Sequence, residues 1–260
     1  YAKHGHGEKA LYCFENMQSH DVSPDVVTYF WCLKACGLTG AINKGVEIHL
    51  AIERQALFKK DIILNNALIE MYIKCGSLNL AQQVFDKLSV RNTVLWTALI
   101  AAYADYGDGH DALKCLDKMQ LEGFSPNYVT FICSLKACGN VGAIEKAGEI
   151  HAEIAHVRLF TGNVILGTAL VDMYAKCGQL MDARQVFDEL LEKDVVSWTA
   201  LMTGYVQHGL SKEALKCFEQ MQQRGISPNA MTFACILQAC GNIGANEKGE
   251  EIHLEILKEN

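Results

Sequence analysis

The chain has 260 residues, half of them hydrophobic, and a formal net charge of −7 at pH 7. That length allows a large core, while the acidic balance argues against a generic polycation that holds nucleic acid through phosphates alone. No apolar run reaches the roughly 18 residues needed to span a bilayer; the longest candidate, around Val94–Ala104, stops at Asp105.

The first stretch, Tyr1–Asp25 (YAKHGHGEKALYCFENMQSHDVSPD), reads as the later part of a helical hairpin. It opens inside a helix-like pattern with no Arg-rich or Ser-rich leader, so the chain is expected to be a piece of a longer protein, with any targeting segment outside it. Gly5 separates two helical patterns, as a helix C-terminal glycine does, Ala10 lets two helices approach, and Pro24 ends the stretch. Val26–Asp61 is a longer hairpin marked by LKACG in its first helix and EIH in its second. Ile62–Asn92 is a shorter one marked by MYIKCG and AQQVFD. Thr93–Asn127 is a complete hairpin of the first kind, with Gly107, Ala112 and Pro126 at the equivalent places.

The pattern then returns with a period of 102 residues. Tyr128–Asn163 repeats the long hairpin, Val164–Asp194 the short one, Val195–Asn229 the standard one (with Gly209, Ala214 and Pro228), and Ala230–Asn260 a truncated long one. The three lengths are 36, 31 and 35 residues. Self-similarity at a fixed period of this size is the signature of a repeat solenoid. The expected fold is therefore all-α: a right-handed stack of helix-turn-helix repeats forming one array, with six complete repeats and a partial one at each end.

Eight of the eleven cysteines follow the same period, and Cys32, Cys133 and Cys235 sit four or five residues before one of its sets. Cys36, Cys138 and Cys240 are 102 apart, as are Cys75 and Cys177, and Cys13, Cys115 and Cys217. No CxxC pair occurs, so zinc-type spacing is missing; the thiols are expected to be small buried packing residues in a reducing compartment.

The alternation of standard, long and short hairpins, the terminal SPN or SPD, LKACG with GxEIH, MYxKCG and the closing RN or KD together resemble the PLS subclass of pentatricopeptide repeat proteins, plant organellar RNA-binding solenoids. The resemblance covers the whole chain. It implies single-stranded RNA bound at one base per repeat, in an organelle (chloroplast or mitochondrion). It further implies that base choice falls to the fifth residue of each repeat and its last. The fifth residues are Phe30, Asn66, Thr97, Ile132, Thr168, Thr199 and Ala234; the last are Asp25, Asp61, Asn92, Asn127, Asn163, Asp194 and Asn229.

Those residue types suit the task. Ionised Asp only accepts hydrogen bonds and so favours guanine and uracil, which carry a ring N–H; Asn donates and accepts, matching adenine or cytosine. In the family, Thr at the fifth place goes with purines and Asn with pyrimidines. Asn66 with Asn92 then implies C or U, Thr97 with Asn127 A, Thr168 with Asp194 G, and Thr199 with Asn229 A. Asp25 implies G or U. In the long repeats Phe30, Ile132 and Ala234 cannot read a base edge, so with Asp61 and Asn163 they are weaker selectors. The implied target is 5′-(G/U)N(C/U)ANGAN-3′.

In the same family the second residue of each repeat is an aliphatic that stacks on the bases: here Val27, Ile63, Val94, Val129, Ile165, Val196 and Met231. Their alternative role is to bury the first turn of a helix. Lys34, Lys74, Lys136 and Lys176, together with Lys3, are candidate phosphate contacts on first helices, whereas acidic residues such as Glu47, Glu149, Glu213 and Glu251 fall on second helices.

His151-Ala152-Glu153 and His253-Leu254-Glu255 spell the HxE half of a zinc deaminase signature. His49-Leu50-Ala51 lacks the Glu and no PCxxC follows, so helix packing is the expected role. No phosphate loop or GxSxG is present. No catalysis, metal or cofactor is expected of this chain, and no membrane contact. The resemblance places such arrays in C-to-U RNA editing, with a deaminase domain in cis or trans and accessory proteins (the multiple organellar RNA editing factors) as partners. The competing reading is a protein-binding scaffold of the tetratricopeptide kind.

Overall fold

The computed structural model describes residues 1–55, 61–157 and 163–259. Among them every regular element is helical, and the chain divides into two compact bodies, Tyr1–Pro126 and Asn127–Asn260. After a 3-10 turn at Ala2–His4, the first body holds α1 (Gly7–Ser19), α2 (Val26–Thr39), α3 (Ile42–Arg54), α4 (Ile62–Lys74), α5 (Leu78–Asp86), α6 (Thr93–Asp105) and α7 (Gly109–Leu121). The second holds α8 (Tyr128–Val141), α9 (Ile144–His156), α10 (Val164–Lys176), α11 (Leu180–Glu189), α12 (Val195–Gln207), α13 (Ser211–Gln223), α14 (Ala230–Ile243) and α15 (Asn246–Glu259).

The architecture is an all-α solenoid. In the first body α2, α4 and α6, the first helices of successive hairpins, pack side by side; in the second, α8, α10, α12 and α14 do the same. The second helix of each hairpin packs on its own first helix, so every hairpin buries its apolar face against its neighbours rather than in a central core.

The signatures that look like separate motifs in the sequence are complementary surfaces. His49 of α3 pairs with the Tyr72 hydroxyl of α4 at 2.9 Å, and His151 of α9 with that of Tyr174 of α10 at 2.9 Å. The EIH of a long hairpin thus meets the MY of the short one after it. Burial depresses the pKa of both histidines. Phe85 of α5 packs edge-on against Trp96 of α6 at 4.5 Å, and Phe187 of α11 against Trp198 of α12 at 4.6 Å. Both tryptophans are 1% exposed, and such a pair contributes about 0.5–1.5 kcal/mol beyond its area burial.

Gly5, Gly107 and Gly209 have φ of 79°, 86° and 77°, the left-handed region that a residue with a Cβ avoids. They turn the chain between the two helices of each standard hairpin. All eleven cysteines are free thiols. Burial pushes Cys32, Cys36, Cys115 and Cys138 up to about 12, which makes them inert packing groups. Cys13 departs from the packing expectation, because it is exposed. No helix of the described residues is long and apolar enough to cross a membrane.

Candidate nucleic-acid interface

Each of the seven first helices starts immediately after an Asp or Asn, and that residue is its N-cap. These are Asp25, Asp61, Asn92, Asn127, Asn163, Asp194 and Asn229, the last residues singled out for base choice. In all seven Oδ1 accepts from the backbone N–H three residues on, at 2.7–3.0 Å (Thr28, Leu64, Leu95, Thr130, Leu166, Ser197 and Thr232). Asp61 accepts from both Ile63 and Leu64.

A cap of this kind contributes about 0.5–2 kcal/mol and is a sufficient structural reason for the residue type. It also orients what is left over. An N–H must meet oxygen, so the amide of Asn92, Asn127, Asn163 or Asn229 turns Oδ1 to the helix and leaves Nδ2, two donors, for another partner. Capping by Asp leaves Oδ2, an acceptor. The Thr28 hydroxyl and backbone N–H hold the Asp25 carboxyl below the usual carboxylate range.

Two residues beyond each cap stands a solvent-exposed aliphatic. Val27, Ile63, Val94, Val129, Ile165, Val196 and Met231 are between 37% and 70% exposed. The alternative of a buried first turn therefore does not hold. Three residues on, along the same face of the helix, stand the fifth residues. Phe30, Asn66, Thr97, Ile132, Thr168 and Thr199 are half-buried, and Ala234 is exposed. Asn66 Oδ1 and Thr168 Oγ1 are buried without a hydrogen-bond partner. Leaving such an atom unsatisfied costs about 1–3 kcal/mol, which a donor or acceptor arriving from outside would recover. Thr199 differs, since its hydroxyl lies 2.7 Å from the Val195 carbonyl and 2.8 Å from the Thr232 hydroxyl.

The lysines are less available than their sequence positions imply. Lys34 of α2 pairs with Glu70 of α4, which Lys74 also reaches at 3.0 Å; Lys176 of α10 pairs with Asp172 at 2.7 Å. Lys136 and Lys3 are exposed. Acidic residues are thus not confined to second helices: Glu70 and Asp172 sit on first helices among the candidate phosphate contacts. Burial works to raise the Glu70 pKa, but hydrogen bonds from Lys34 and Lys74 outweigh it and hold the carboxyl low. Sequence reasoning missed these carboxylates although both recur at the 102-residue period.

Neither HxE stretch is assembled for metal chemistry. His151 meets Tyr174, and Glu255 accepts from the Gln222 amide at 3.1 and 3.2 Å. Among the described residues no group of three or more His, Cys, Asp or Glu could hold a metal ion.

Comparison with known proteins shows the family and the fold. A family model described as "PPR repeat family" matches residues 91–140 and 193–242, and one described as "PPR repeat" matches 1–22, 66–92 and 168–195. A chloroplastic pentatricopeptide repeat-containing protein of Arabidopsis thaliana is 38% identical over 259 residues, covering 100% of this chain and 42% of its own length. The chloroplastic CRR2 of the same plant is 36% identical over 95% of this chain and 38% of itself, and a mitochondrial relative is 36% identical over 96% and 40%. The chain thus spans about two fifths of these relatives. Among solved structures, the pentatricopeptide repeat protein PPR10 from maize superposes with a TM-score of 0.75 at 17% identity, covering 99% of this chain and 37% of that one. PPR10 in complex with an 18-nt psaJ RNA element gives 0.77 at 17% identity, over 96% and 37%.

Proposed function

The chain belongs to the pentatricopeptide repeat family, and on that premise we propose that it binds single-stranded RNA sequence-specifically, one base to each repeat. The observation that carries this is the row of seven exposed aliphatics. A helix that only had to pack would not repeatedly place Val, Ile or Met in water two residues after its cap. Each makes an apolar shelf for a base beside a cap with a free amide or carboxylate oxygen, and in the short and standard repeats beside a polar fifth residue as well.

The repeats 26–61, 62–92, 93–127, 128–163, 164–194 and 195–229, with the partial ones at 1–25 and 230–260, read 5′-(G/U)N(C/U)ANGAN-3′. Asp25, Asn66/Asn92, Thr97/Asn127, Thr168/Asp194 and Thr199/Asn229 do the selecting. The array has the standard, long and short alternation of the PLS type, which supports a role as specificity module in C-to-U editing, with a deaminase domain in cis or trans and editing accessory proteins as partners. The chloroplastic and mitochondrial names of its relatives support an organellar setting.

The test is a titration with an RNA of the stated sequence and with a copy carrying A in place of G under Val164–Asp194. The G-bearing RNA should bind about tenfold more tightly, the worth of one hydrogen bond to a charged group. Asp194→Asn keeps the cap and should reverse the preference at that base alone. Equal affinity of the unaltered chain for both RNAs would overturn the base-reading scheme.

A further inference from the structure

If base choice works as proposed, the two selecting residues of the repeat 195–229 do not act independently, because a third side chain joins them. Thr232, the third residue of the following long repeat, is completely buried. Its hydroxyl donates to Asn229 Oδ1 at 3.0 Å, accepts from the Asn229 backbone N–H at 3.2 Å, and lies 2.8 Å from the Thr199 hydroxyl. Thr199 in turn reaches the Val195 carbonyl at 2.7 Å. Two hydroxyl protons face three contacts, so with the Thr232 proton on Asn229 Oδ1 the Thr199 hydroxyl donates either to Thr232 or to the Val195 carbonyl, and the Thr232 oxygen is what can draw it away from the carbonyl. Oδ1 of Asn229 receives both the Thr232 hydroxyl and the Thr232 backbone N–H at 2.9 Å, which holds Nδ2 outward.

The short repeats lack this link. After the repeat 164–194 the third place is Ser197, whose hydroxyl turns to the Asp194 carbonyl at 2.8 Å and leaves Thr168 Oγ1 without a partner. After the repeat 62–92 it is Leu95, which has no hydroxyl, and Asn66 Oδ1 is without a partner too. The long repeats all carry Thr at that place, and Thr28, Thr130 and Thr232 each donate to the cap residue before them.

We infer that Thr232 is a positioning residue for base choice by the preceding standard repeat: it sets the Asn229 amide and the Thr199 hydroxyl against the base without touching it. The inference rests on the base-reading proposal and is separable from it by experiment. Affinities of the unaltered chain, Thr232→Val and Thr232→Ser are measured by fluorescence anisotropy. One RNA pair differs A to G under 195–229, the other G to A under 164–194.

Thr232→Val should lose about fivefold of the A-over-G preference at its own base, the size of one neutral hydrogen bond, and keep the G-over-A preference under 164–194. Thr232→Ser should restore the first. Thr232→Ala makes the same demand should the valine variant not fold. An undiminished preference in the folded hydroxyl-less variant overturns the inference. So does equal loss at both bases, which marks a general structural defect. An unaltered chain with no preference at either base overturns the base-reading proposal itself.

Discussion

At the scale of single residues, capping uses one atom of each Asp or Asn side chain, and the proposed base selection would use the other. The cap takes Oδ1 and leaves a donor on Asn or an acceptor on Asp, so exchanging the two changes the chemistry offered to a base at little cost to the helix. The exposed aliphatics separate the two roles more sharply. Val196 is 55% exposed, so Val196→Ala should alter stability by no more than about 0.5 kcal/mol. If the side chain stacks on a base, the same change should weaken RNA binding by about tenfold, near the low end of a stacking contribution. Thermal melting and a binding titration on one preparation measure both; unchanged affinity would remove Val196 from the interface.

At the scale of elements, long and short hairpins are held in order by complementary contacts between α3 and α4 and between α9 and α10. The two His–Tyr pairs also make stability depend on pH. His49 and His151 have folded-state pKa values below the ordinary histidine value of about 6.5, because burial disfavours the charged ring. The unfolded chain therefore takes up protons first as the pH falls, and stability present above about 6.5 is lost progressively below it. The melting temperature should drop between pH 7.5 and 5.5, and drop less in a His49→Gln, His151→Gln double variant. Identical slopes would mean that other groups govern the acid sensitivity.

At the scale of the whole molecule, a net charge of −7 and lysines engaged with Glu70 and Asp172 leave little for non-specific attraction to phosphate. If the four candidate lysines Lys34, Lys74, Lys136 and Lys176 all engage RNA, the logarithm of the binding constant should fall with that of salt at a slope of about −3, at 0.7 per phosphate. Carboxylate competition should keep it shallower. A markedly steeper slope, from affinities between 50 and 200 mM salt (about a fourfold range), would show that binding is driven by phosphates rather than bases.

The repeat boundaries read from the sequence coincide with the helix starts, but the capping role of their last residues was not read there, although a cap is a local bond between a side chain and an N–H three positions on. The 102-residue period made the hairpins legible, since each copy repeats the same local pattern. What lay beyond sequence reasoning are contacts between hairpins such as His49–Tyr72, Thr199–Thr232 and Lys34–Glu70, 23 to 36 positions apart, which only the stacking of helices brings together. Tertiary structure decided that the aliphatics after each cap stand in water, that Lys34 meets Glu70, and that Thr232 joins Thr199 to Asn229. Burial and pairing are properties of what a neighbouring helix covers, and no single hairpin's sequence contains its neighbour's surface.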